Sequence, residues 1–292
     1  MRLALSGGRS GDALPVEGFS RLKRLPGLCC QAAGGEPDWA DDLALAWLVF
    51  YAAAHLIDSV QDADEPQAWW ADRGESVALS AFTGLYFSAC LALNGLSQNP
   101  ATRAMGGEIA RDFYRTFLVM GSGQHADLTL PSLSLEQYWR QADTKSGVFF
   151  SLACRTGARL ATADSDRLEA YASYGHHLGL LIQITDDLED IYPPEDAGAY
   201  GQKRLFARSL PVVYALDVIP AQQAGRLKDC LREAPLSAKA AQEALDLVDR
   251  SGAADYVSVV IEQHKIEALQ ALERADPRSP SGETLAALVA EF

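Results

Sequence analysis

Between Gly179 and Asp190 the chain reads Gly-Leu-Leu-Ile-Gln-Ile-Thr-Asp-Asp-Leu-Glu-Asp. On a helix, residues three and four apart share a face. Gln183, Asp186, Asp187 and Asp190 then form one polar stripe, beside an apolar stripe of Leu181, Ile184, Leu188 and Ile191. Aligned carboxylates repel one another. Such a face is either a solvated surface on an acidic protein or a cradle for a hard divalent cation. Mg²⁺ prefers carboxylate oxygens and keeps positions open for phosphate.

A second acidic pair, Asp58 and Asp62, lies one turn apart at the C-terminal end of an apolar helix, on the face of Tyr51, Ala54 and His55. Burying these carboxylates unpaired costs several kcal/mol or forces them neutral. The helix macrodipole is also unfavourable to anions at that end. A bound cation offsets both penalties, and so does a helix end that reaches solvent. His55 reads as a core or pocket-wall residue, because Mg²⁺ seldom selects imidazole. Isolated basic residues, Arg21, Arg24, Lys145, Lys203 and Arg208, stand in apolar or loop settings around the two acidic faces. If those faces oppose each other across a bundle, they clamp a small Mg²⁺ cluster, and the basic residues complete a diphosphate site. The apolar helix before Asp58 would line a cavity suited to a hydrocarbon tail.

The elements that must position these groups read as helices. The 292 residues are nearly half apolar, rich in Ala and Leu, with few β-branched runs. The spacing predicts helices over Phe19–Ala33, Trp39–Asp62 with Asp38 as N-cap, Val77–Leu96 and Ala101–Met120. Ser134 and Gln137 have capping-box form and open a helix through Tyr138, Lys145 and Phe150, closed by Gly157. A long helix follows over Asp164–Ile191, and another begins at Pro211. Two or three more follow, broken near Pro235, Gly252 and Pro277–Pro280. The middle of the helix ending at Asp62 is apolar all round, the pattern of a helix surrounded by others. The expected architecture is all-α: a single-domain bundle of about ten helices around a central apolar cavity, residues 19–292, behind a flexible leader, residues 1–18.

The formal charge of −14 argues against a nucleic-acid partner. Five cysteines without CxxC spacing fit free thiols in a reducing cytoplasmic setting. The longest uncharged apolar run, Ala44 to Ile57, reads as a core helix too short to be a transmembrane segment.

In order along the chain, five pieces resemble the trans-isoprenyl diphosphate synthase (polyprenyl synthetase) family of the isoprenoid synthase fold. Gln183 to Asp190 resembles its second aspartate-rich motif, and Asp58-Ser59-Val60-Gln61-Asp62 resembles the first. Gln124 and Asp127 match a Gly-Gln-x-x-Asp element. Thr144-Lys145-Ser146-Gly147 resembles a Lys-Thr element, and Ser209-Leu210-Pro211 the segment after the second motif. The Trp69 loop and the run at 210–216 resemble a divergent bacterial branch that includes peptide-prenylating ComQ-like proteins. The departures fall mostly on one half of the site. Ser59 replaces an Asp, the paired arginines after the first motif are missing except for Arg73, and Ala207 stands where a basic residue is usual.

The resemblance implies about three Mg²⁺ ions held by Asp58, Asp62, Asp127, Asp186, Asp187 and Asp190. Asp58, Asp62, Asp186, Asp187 and Lys145 would carry catalysis. Arg21, Arg24, Gln124, Lys145, Gln183 and Lys203 would bind the diphosphate, with Phe50 and Ala54 beside the hydrocarbon chain. Residues one turn below the first motif limit product length in this family. Small Ala53 and Ala54 above Phe50 and Trp47 predict a product near C15–C20. Three readings follow: a prenyltransferase that condenses an allylic diphosphate with isopentenyl diphosphate; a terpene cyclase or a prenyltransferase to a non-isoprenoid acceptor; and a non-catalytic partner subunit. A homodimer is expected from the resemblance.

Overall fold

The computed structural model describes residues 22–62, 70–129, 133–192, 208–234 and 237–292. They are helical throughout, with no strand among them. In chain order the α-helices are α1 (Leu25–Ala33), α2 (Asp41–Asp62), α3 (Glu75–Gln98), α4 (Arg103–Thr129), α5 (Leu135–Ala142), α6 (Val148–Arg159), α7 (Ser165–Ile191), α8 (Leu210–Val218), α9 (Ala221–Glu233), α10 (Ala238–Arg250), α11 (Ala253–Arg274) and α12 (Ser281–Ala290). The all-α expectation holds, and four helices rather than two or three follow α8. The described residues divide into two compact units. One draws on Met1–Arg115, Ala153–Leu168 and Asp276–Thr284, the other on Thr116–Leu152, Glu169–Ala275 and Leu285–Phe292.

In the first unit, α2 buries Leu43, Ala46, Trp47, Phe50 and Ala53 completely or nearly so. Their three- and four-residue spacing puts them on one face. Phe50 meets the edge of Tyr86 on α3 at 5.4 Å and tilts over Phe113 on α4 at 5.5 Å. The opposite side is open, with Leu45 half exposed, so the all-round apolar pattern does not mean a helix enclosed on every side. His55 is exposed and stacks on Tyr51, which corrects its reading as a core residue. Asp38 does not stand at the start of α2: it lies within a 3₁₀ turn, Pro37–Ala40, ahead of that helix. α1 begins at Leu25, ends at Gly34 in the left-handed region (φ 107°), and anchors the segment before α12 through Arg278 N–H to Ala32 O at 2.8 Å. Gly157 does not close a helix. α6 continues to Arg159, and a Cβ at 157 would lie 2.3 Å from the Pro26 carbonyl, so glycine there permits α6 to touch α1. All five cysteines are free, as expected. Burial, followed by the neighbouring Cys154 thiol, holds the Cys29 pKa well up.

In the second unit, Tyr138, Ala142, Leu180, Ile184, Leu210, Val213, Val257 and Val260 form one apolar cluster joining α5, α7, α8 and α11. A second cluster, with Val212, Ala215, Leu227, Ala244 and Val248, joins α8, α9 and α10. The Ser134–Gln137 capping box is present: Gln137 N–H donates to Ser134 Oγ at 3.2 Å, and Ser134 N–H to Gln137 Oε1 at 2.8 Å. Asp164 caps α7 by accepting from the Asp166 and Arg167 amides.

Candidate functional site

The Ser134 helix does not run straight to Phe150. Between α5 and α6 the backbone widens into a π turn over Asp143–Gly147, the segment that carries Lys145. Single π turns inside α-helices are frequent at functional sites. Two glycines let neighbouring helices close on this turn. A Cβ at Gly123 on α4 would lie 2.5 Å from Thr144 Oγ1, and one at Gly179 on α7 would lie 2.5 Å from the Ser146 carbonyl. Gln124 on α4 and Gln183 on α7 are therefore carried by helices that touch the lysine turn.

A polar chain crosses this junction. Ser146 Oγ donates to Gln183 Oε1 at 2.8 Å, and Gln183 Nε2 donates to Asp187 Oδ1 at 3.0 Å. Asp187 Oδ2 accepts from Tyr138 O–H and from Leu210 N–H, both at 2.7 Å. The second contact explains the Ser209-Leu210-Pro211 segment. Leu210 opens α8, where helix N–H groups lack intrahelical partners, and Asp187 supplies both the acceptor and the charge that the helix start favours. Asp187 is 6% exposed, and burial raises its pKa. Tyr138, Leu210 N–H, Gln183 and the Lys145 charge pull it back in that order. Burial and the Asp187 charge hold the Tyr138 pKa well up, so its hydroxyl remains a donor.

The stripe drawn from helical spacing divides at this point. Asp186 is exposed while Asp187 is buried. One residue is a 100° step, and it carries a carboxylate from the helix surface into the contact with α5 and α8. Leu181, Ile184 and Ile191 are buried, as the apolar stripe requires. Gln124 is half-buried, and neither of its side-chain amide atoms has a hydrogen-bond partner among the described residues.

In the first unit, Asp58 and Ala54 are half-buried on α2, Phe50 is fully buried, and Arg24 is exposed just before α1. Ser59 is 4% exposed and its hydroxyl has no partner among the described residues. Asp62, Asp127 and Asp190 fall on α2, α4 and α7, and their side chains lie outside the described set. Arg21, Lys203, Trp69, Ala207 and the 1–18 leader also lie outside it. Sequence reasoning missed Tyr138, since an aromatic one turn into a capped helix reads as core. It also missed the anchoring role of Asp187, since spacing does not separate a buried carboxylate from its exposed neighbour.

This arrangement defines an all-helical protein of the isoprenoid synthase fold. Residues 24–248 match the polyprenyl synthetase family model, and the chain belongs to that family. Among its relatives, a short chain isoprenyl diphosphate synthase from Methanothermobacter thermautotrophicus is 26% identical, over 97% of this chain and 88% of that one. A geranylgeranyl diphosphate synthase from Mycobacterium tuberculosis is 31% identical, over 64% of this chain and 55% of the relative. The tryptophan prenyltransferase ComQ of Bacillus subtilis subsp. natto is 28% identical, over 56% and 49%. Several of these matches thus span only about half the relative's length. The fold is that of a geranylgeranyl pyrophosphate synthetase from Pyrococcus horikoshii, with TM-score 0.81 and 20% identity over 94% of this chain and 86% of that one. A polyprenyl synthase from Caulobacter crescentus, solved with calcium and isoprenyl diphosphate, gives TM-score 0.77 and 20% identity over 98% and 89%. Two segments, 37–61 and Glu75–Gln98, are long and apolar enough by length and composition to cross a membrane, a property that a core helix shares. Both lie within the stretch that matches the family model.

Proposed function

We propose that the protein is a Mg²⁺-dependent prenyltransferase that ionises an allylic diphosphate and joins it to isopentenyl diphosphate, giving a product near C15–C20. The observation that carries this reading is the junction at the π turn. It gathers Lys145, Gln124, Gln183 and the Asp186–Asp187 pair onto touching helices, and it presents a half-buried amide with no partner among the described residues. The donor set fits the metal: Asp58, Asp62, Asp127, Asp186 and Asp190 offer carboxylate oxygens, the ligands of hard cations. Asp187 is set apart from them, because three donors already engage its two oxygens. We assign it to positioning, holding α7 to α5 and α8 so that Asp186 and Lys145 keep their places.

Mg²⁺, when bound, withdraws electron density from the diphosphate and favours its departure. Lys145, Lys203, Arg21 and Arg24 stabilise the charge that grows on the leaving group, where catalysis requires it. Gln124 and Gln183 orient the diphosphate. Apolar side chains near Phe50 and Ala54 exclude water from the allylic carbon. The isopentenyl double bond attacks that carbon, the C–O bond to diphosphate breaks, and a proton is lost to the released pyrophosphate.

One observation favours a second reading, in which the acceptor is not isopentenyl diphosphate. The basic residues after the first motif are reduced to Arg73, and a relative is named as a tryptophan prenyltransferase. Incubation with Mg²⁺ and allylic diphosphates of increasing length, with and without isopentenyl diphosphate, separates the readings. Elongated diphosphate formed only with the co-substrate supports the first. Hydrocarbon or alcohol formed without it supports the second. No pyrophosphate release under any condition, with Asp186→Ala indistinguishable from wild type, overturns both and leaves the non-catalytic subunit. A homodimer is part of this proposal, supported by Val77, Phe87 and Leu91, which share one face of α3 and are 40%, 66% and 71% exposed.

A further inference from the structure

Away from the π-turn network, α7 and α11 bring two imidazoles and a carboxylate to one point. His177 Nδ1 lies 3.0 Å from His264 Nδ1 and 3.2 Å from Glu267 Oε2, and His264 Nδ1 lies 3.8 Å from the same oxygen. His264 and Glu267 are three apart on α11, so they share a face, and His177 meets them from α7. The side chains of His177, His264 and Glu267 are 16%, 13% and 36% exposed. The rings are held in place: His264 packs against Trp139 at 5.8 Å, and His176 meets His177 edge-on at 5.1 Å while its own Nδ1 faces Asp143.

Proton counting shows what these contacts lack. A neutral imidazole carries one N–H. If both Nδ1 atoms carried it, two donors would face each other at 3.0 Å. If only one did, that proton would have to serve both the second ring and the carboxylate. A divalent cation instead takes a lone pair from all three atoms. Tetrahedral zinc with Zn–N and Zn–O near 2.0–2.1 Å has edges of about 3.3–3.4 Å. The observed separations of 3.0, 3.2 and 3.8 Å bracket that edge. Burial, with the charges of His176, His264 and Arg274 also acting, pushes His177 down to about 4 against the opposing pull of Glu267. Burial also lowers the His264 pKa.

We propose that His177, His264 and Glu267 form a zinc site, completed by one water, that staples α7 to α11. The site is distinct from the acidic motifs in position and chemistry. Imidazole suits Zn²⁺ and seldom Mg²⁺. His177 stands six residues before Gln183 on the same helix, about 9 Å along its axis. The staple thus fixes the helix that presents Gln183 and Asp186 without touching the diphosphate. The inference does not depend on which acceptor the enzyme uses.

The full-length protein is stripped with chelator and titrated with Zn²⁺ and with Co²⁺, in wild type and in an Asp58→Asn/Asp186→Asn background that weakens the acidic site. The expected result is one Zn²⁺ per chain in both, tetrahedral Co²⁺ absorption, and X-ray absorption showing two imidazoles and no sulfur. His264→Gln, or Glu267→Gln should the first fail to fold, should lose at least tenfold in Zn²⁺ affinity and lose the upward shift in melting temperature that Zn²⁺ gives wild type. Sulfur in the metal shell, binding that disappears with the aspartates, binding unchanged in the folded α11 variant, or no stoichiometric Zn²⁺ in wild type would each overturn the proposal.

Discussion

Asp187 is a carboxylate buried in an apolar junction, kept there by three donors from three different elements. Hydrogen bonds to a charged group contribute about 1.5–3 kcal/mol each. Tyr138→Phe should therefore lower stability by about 1–3 kcal/mol and raise the Asp187 pKa further. The sign of the pH effect follows from burial. The folded pKa of Asp187 lies above its unfolded value near 3.9, so the folded state holds the proton more firmly between the two. Its contribution is most favourable at low pH and falls as pH rises through that window. In metal-free protein, Asp187→Asn should gain stability relative to wild type from pH 4 upward. Gln183 can turn its amide to meet the new N–H₂, leaving its own nitrogen for Ser146 Oγ to accept from. Urea denaturation across pH 4–7 measures the difference, and parallel stability curves for the two proteins would contradict it.

At the scale of elements, α2 carries a fully buried stripe that ends beside the first acidic motif. Phe50 is enclosed by Tyr86 and Phe113. Truncating a buried Phe to Ala costs about 3–5 kcal/mol, less whatever an incoming ligand restores by filling the space. Phe50→Ala should be destabilised in melting experiments and shift the product toward longer chains, with part of the lost stability recovered on adding a long prenyl diphosphate. An active variant with an unchanged product distribution would show that the chain terminates elsewhere. The π turn belongs to this scale too. Lys145 was legible as part of a Lys-containing element, but the widened backbone that presents it depends on Gly123 and Gly179 lying on neighbouring helices.

At the scale of the whole molecule, the exposed α3 face is one apolar surface that the described residues of a single chain leave uncovered. Large apolar residues clustered on one helix face mark association surfaces. A dimer that buries Phe87 and Leu91 against a second copy should separate into monomers when Leu91→Glu places a charge there. Sedimentation velocity measures this, and a Leu91→Glu protein that stays dimeric would locate the interface elsewhere.

The sequence by itself determined the all-α class, the order of the helices, the capping box at Ser134 and the family, because these follow from local periodicity and from motifs that survive as short strings. It also placed Gln183 and Asp186 correctly on their helix. The tertiary structure alone decided which carboxylate of the Asp186–Asp187 pair is buried, what Tyr138 and the Leu210 amide are for, and that Gly157 permits a crossing rather than ending a helix. It also decided that His177, His264 and Glu267 converge. The reason is common to all four. Burial and partner choice are set by segments tens of residues away, and the three-residue spacing of His264 and Glu267 carries no sign of a third ligand 87 positions earlier.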